Sequence, residues 1–100
     1  MYKQKSLDSR DINYIYEDSW VWVNINSIKK KNMPLCREIL EYYKNEDSIF
    51  CFFKGKVKQF VSNNEVKIFI TLDDDYKNFK NNINYNIIEN VKYLLPIDTN

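Results

Sequence analysis

Apolar and polar positions alternate with a period of two along much of the chain, the spacing that puts successive side chains on opposite faces of a strand. Residues 19–25, SWVWVNI, set Val21, Val23 and Ile25 on one face and Trp20, Trp22 and Asn24 on the other, and this predicts a strand with apolar groups on both sides. Such a strand is either buried on both faces or presents its tryptophans to a partner. Residues 50–72 predict a long β-hairpin. In its first arm Val57, Gln59 and Val61 point one way and Lys56, Lys58 and Phe60 the other; in its second, Val66, Ile68, Ile70 and Leu72 oppose Lys67, Phe69 and Thr71. Asn63 and Asn64, which tolerate positive φ, supply the turn, and Gly55 in mid-strand predicts a bulge or a sharp bend. Between these strands the spacing changes. Leu35, Ile39 and Tyr42 or Tyr43 recur at helical intervals with Arg37, Glu38 and Glu41 opposite them, and Pro34 suits a first turn, so a short helix is expected here. Residues 83–88 offer a last short strand, followed by a tight turn and an apolar tail stopped by Pro96.

The 100 residues, 44% of them hydrophobic and 16% aromatic, carry enough apolar surface for one folded core. The expected organisation is an N-terminal arm over 1–18, partly ordered at most through an edge strand near Ile12 and Tyr16, a β domain over 19–97, and a tail over 98–100. Fifteen basic against fourteen acidic side chains remove the main electrostatic basis for nucleic-acid binding, although a local basic patch stays open. No apolar run approaches the roughly 18 residues of a membrane span, and no secretory signal opens the chain, so a soluble cytoplasmic protein with Cys36 and Cys51 reduced is expected. Alanine is missing and Asn, Lys and Ile dominate, the mark of A+T-rich codons; many surface asparagines are therefore read as mutational drift without chemistry.

Chemistry is mostly excluded. With no histidine and two cysteines the chain lacks the usual zinc ligands and the Ser-His-Asp and Cys-His arrangements, and with one glycine it cannot build a phosphate-binding loop. No catalytic residue, cofactor or metal ligand is assigned, and Asp73, Asp74 and Asp75 are read as a solvated loop where substitution matters little. The candidate partner-binding residues are Trp20 and Trp22 with the basic cluster Lys29, Lys30 and Lys31 beside them. An aromatic cage for a methylated lysine, drawn from Trp20, Trp22, Tyr42, Tyr43, Phe50, Phe52 and Phe53, is weighed and set below an ordinary core role for these rings.

Trp20-Val21-Trp22-Val23 as a first strand, Gly55-Lys56-Val57 opening a hairpin that returns through Val66-Lys67-Ile68-Phe69-Ile70, and Glu89-Asn90-Val91 before an apolar exit follow the order of an SH3-like barrel. More narrowly, the order resembles the SH3-like domain at the N-terminus of unconventional, class-fourteen-like myosin heavy chains of apicomplexan type, and Leu94-Leu95-Pro96-Ile97-Asp98-Thr99-Asn100 is similar to the segment leading into the motor. The fold implied is mainly β: a small SH3-like barrel of five to six strands with one short helix inserted between the first strands. That insertion lengthens the first connection beyond the family's pattern. The function implied is that of a non-catalytic accessory domain packing beside a motor that follows in the same chain, with protein partners, the motor and a light chain, and no nucleic acid or membrane insertion. The alternative is a stand-alone SH3-like or Tudor-like peptide-binding module.

Overall fold

A computed structural model describes residues 15–44, 51–74 and 82–97. It is mainly β, with the elements β1 Trp20–Asn24, α1 Ile25–Lys31, α2 Met33–Tyr42, β2 Phe52–Phe60, β3 Glu65–Ile70, β4 Asn86–Asn90, a 3-10 turn Val91–Tyr93 and β5 Leu94–Pro96. The strands form one antiparallel sheet in the order β4-β3-β2-β1-β5. Inward side chains of all five strands meet the buried faces of both helices in a single core, in which Val21, Val23, Ile28, Leu35, Val57, Val66, Ile68 and Ile70 have no exposed surface. The sheet is thus curled around its contents like a small, partly open barrel.

The expected hairpin is the centre of this barrel, because β2 pairs with β1 through its first half and with β3 through its second. Gly55 lies where the two ladders overlap, opposite both Val21 and Ile70. A Cβ there would come within 2.5 Å of Ile68 Cγ2 and 3.3 Å of Val23 Cγ2, so a side chain would collide with the core where the layers close. The bulge itself falls between Val57 and Gln59. It reverses the alternation beyond that point: Phe60 turns inward and is buried while Gln59 and Val61 are exposed, the opposite of the expected facing. In β3 the expected face holds, with Val66, Ile68, Ile70 and Leu72 all buried. The turn is a four-residue loop in which neither Asn63 nor Asn64 has positive φ; among the described non-glycine residues only Asp18 does.

The helical insertion holds two helices where one was expected. In α2, Leu35, Cys36 and Ile39 are buried, the stripe the spacing predicts, with Pro34 in the first turn. Residues 25–31, expected as the end of a strand and a charged loop, form α1. Asn24 stops the strand and caps this helix, its Oδ1 accepting from Asn26 N at 2.8 Å, and Ile28 is buried one turn on. Asn32 then does two things: its Oδ1 accepts from Leu35 N to cap α2, while its Nδ2 donates to the carbonyls of Asn84 and Asn86 at the start of β4. One side chain therefore fastens the helix pair to an edge of the sheet. Asn90 Oδ1 caps the 3-10 turn by accepting from Lys92 N. These asparagines are structural and so stand outside the many surface asparagines read as compositional drift.

Two further differences concern the ends. Ile15 is only 3% exposed, and Tyr16 to Ser19 make a turn from which Asp18 N reaches Val57 O, so the core takes in the last residues of the expected arm. The edge strand expected near Ile12 falls largely outside the described residues, as do Phe50, Asp75 and the tail over 98–100. The last strand sits slightly later than expected, over Asn86–Asn90, and the apolar exit is a strand, β5, paired with β1.

Candidate functional site

β1 decides which groups face out. Its register sets Trp20 opposite Lys56, Trp22 opposite Lys54 and Leu95, and Asn24 opposite Phe52, all on the side of the sheet away from the core. Trp22 is 40% exposed, Phe52 43%, Leu95 55% and Tyr93 56%; four large apolar side chains from β1, β2, β5 and the 3-10 turn therefore share one open surface. Burial on both faces is ruled out by this placement, since the valines of β1 are in the core while Trp22 is exposed and Trp20 half-buried.

The lysines divide. Those beside Trp20 are Lys54 and Lys56 of β2, whose Nζ atoms lie 4.9 Å and 5.7 Å from the ring centroid, within cation-π range. Lys29, Lys30 and Lys31, expected beside the tryptophans, occupy the exposed last turn of α1, where the helix carbonyl end favours cations. Lys30 and Lys31 meet the same surface further along. With Asn24, Asn26, Ser27, Phe52, Glu89, Lys92, Tyr93 and Leu95 they line a groove of about 430 Å³ between α1 and β5. Lys29 lies beside α2 near Cys36, whose thiol is pushed up by burial and pulled back by the Lys29 charge. Cys36 is buried and Cys51 exposed, and both are free thiols.

At the floor of the groove Glu89 is only 4% exposed. Its Oε1 accepts from Asn90 N at 2.8 Å, and its second oxygen has no partner among the described residues. Ser27, 9% exposed, lies beside it on the groove wall. The groove thus joins three lysines, one sunken carboxylate, two aromatic rings and a leucine in its lining.

The proposed cage set does not gather. Tyr43 packs on Tyr42 and Phe53, with centroids 4.8 Å and 6.2 Å apart, and Tyr43 and Phe53 lie against the core, whereas Trp22 and Phe52 are on the outward face. Asp73 is exposed as expected, but it is held: Oδ1 accepts from Tyr42 OH and Oδ2 from Tyr43 OH, each at 3.0 Å, joining the end of α2 to the exit from β3. Burial first, and the Asp73 carboxylate after it, push the Tyr43 hydroxyl up to about 12.

Of the residues on this face and groove, Trp20, Trp22, Lys30 and Lys31 were expected as partner-binding and Phe52 only as a member of an aromatic cage, whereas Lys54, Lys56, Glu89, Lys92, Tyr93 and Leu95 were not singled out. The signal for the β2 members was present, since Phe52, Lys54 and Lys56 share a parity in FFKGK that alternates against Phe53, Gly55 and Val57. No local signal marked Glu89, which becomes part of the groove through the fold of α1 over β4. Among the described residues no helix is long and apolar enough to cross a membrane. The chain matches no known protein family, no curated protein and no solved structure.

Proposed function

We propose that the protein is a non-catalytic contact module that binds a protein partner through the outward face of β1, β2 and β5. The carrying observation is that Trp22, Phe52, Tyr93 and Leu95 stand exposed side by side on one surface while the core is complete without them. Rigid aromatics on strands, ringed by lysines, suit recognition of an extended segment more than chemistry on a small molecule.

The accessory-domain reading is the narrower form of this proposal, with a motor domain in the same chain as the partner. The motifs of the first strand and the exit support it, and so does their adjacency, since Ile97 N donates to Trp20 O.

The test is selection of binding peptides from a random library on the wild-type domain, with counter-selection on a Trp22→Ser, Leu95→Ser double variant. The proposal expects peptides that bind only the wild type and shift the amide signals of β1 and β5. Selected peptides that bind both proteins equally, or that shift α2 and β4 instead, would overturn it.

A further inference from the structure

The groove beside this face carries enough chemistry to specify its occupant, an inference that rests on the contact reading above. Lys30, Lys31 and Lys92 line it, and among the described residues Glu89 is the only acidic group that does so. Three cations around one carboxylate disfavour a basic ligand, and a bare inorganic anion would meet the Glu89 charge at the floor. The free oxygen of Glu89 calls for a neutral donor, the rim for carboxylates, and Phe52, Tyr93 and Leu95 for an apolar side chain.

An extended acidic peptide offers all three. Its backbone N–H groups are neutral donors, and alternate side chains point to opposite sides at intervals of roughly 7 Å. We propose that the groove binds an extended peptide segment rich in Asp and Glu with interspersed apolar residues: one backbone N–H donates to Glu89, the acidic side chains meet Lys30, Lys31 and Lys92, and an apolar side chain lies between Phe52, Tyr93 and Leu95. The segment then continues along Trp22 and Lys54 toward Trp20 and Lys56, which follow one another on the same outward side. Single-stranded nucleic acid is the competing polyanion. It is less favoured because its affinity comes mainly from many phosphate contacts, and the three rim lysines with Lys54 and Lys56 further along, in a chain of net charge +1, supply few.

The experiment uses three probes of about ten residues or nucleotides: an acetylated, amidated peptide alternating Glu and Leu, its Lys and Leu counterpart, and oligothymidylate. Binding is read by amide chemical shifts on the full chain. The inference expects the Glu peptide alone to saturate and to shift Ser27, Phe52, Tyr93 and Leu95, a loss of about tenfold in the Lys30→Glu, Lys92→Glu double variant, and weakening with added salt. Backbone N-methylation at successive positions of the Glu peptide should weaken binding sharply at one of them, where the donor to Glu89 is lost. Equal or tighter binding of the Lys peptide or of oligothymidylate, or N-methylation without effect at every position, would overturn it. If library peptides bind the face of Trp22 but are not acidic, this inference falls while the contact reading stands; if none binds there, both fall.

Discussion

The two sides of β1 are made of the same kind of residue and do different work. Val21 and Val23 are fully buried beneath the two helices, while Trp22 on the opposite side stays 40% open and Trp20 carries two lysines over its ring. Alternation along a strand separates its sides, but only the placement of other elements decides which side is covered. Here α1 and α2 fold onto the valine side, and their anchors are polar: Asn32 to the carbonyls of β4, and Tyr42 and Tyr43 to Asp73. Stability is invested on one side of the strand and large aromatic surface is left on the other.

The strongest way to break this comparison is to put charge on the inner side. Ile68→Asp or Val57→Asp should unfold the domain, since each side chain has no exposed surface and a buried unpaired carboxylate costs several kcal/mol. Normal thermal melting of either variant would show that the inner side has been misassigned. A smaller effect is expected where the helices are fastened. Asn32→Ala removes the α2 cap and leaves the carbonyls of Asn84 and Asn86 short of a donor, a loss of about 1 to 2 kcal/mol in urea unfolding. A change within error would mean that the helix pair is held by packing alone.

The Asp73 anchor gives a pH signature. Tyr43 has its hydroxyl raised from 10.0 to about 12 in the folded protein, so this group stabilises the fold fully below about pH 10, and that contribution is lost as pH rises toward 12. Burial raises Tyr85 in the same direction. Asp73→Asn removes the lesser of the causes at Tyr43, the carboxylate, and should move its titration to lower pH by ultraviolet difference absorbance, with the alkaline loss of stability beginning earlier. An unchanged titration would separate Tyr43 from Asp73.

Particular residues show how far the sequence could be read. The β2–β3 hairpin and the stripe of Leu35 and Ile39 were legible because each is a local periodicity reinforced by burial. The facing of Phe60 was not, because a single bulged residue reverses parity and nothing nearby marks it. Helix α1 was hidden by its composition: seven residues with two isoleucines and no alanine have little intrinsic helicity, and the element is held by the Asn24 cap and by Ile28 in the core. Asparagine abundance masked asparagine function, since a cap and a drifted codon look alike until a backbone N–H is placed opposite. The site was half legible for the same reason. Trp20 and Trp22 announced themselves by alternation, whereas Glu89, Lys92 and Tyr93 share a groove with residues of α1 some sixty positions away, which no local pattern marks.

If the outer side of β1 serves contact as proposed, it is not needed for folding. Thermal unfolding of the Trp22→Ser, Leu95→Ser double variant tests it most directly. Both side chains are exposed, so the change should stay within about 0.5 kcal/mol per site, which for a domain of this size moves the melting temperature by a few degrees. A collapse comparable to that of Ile68→Asp would contradict the claim and make the aromatic face part of the core.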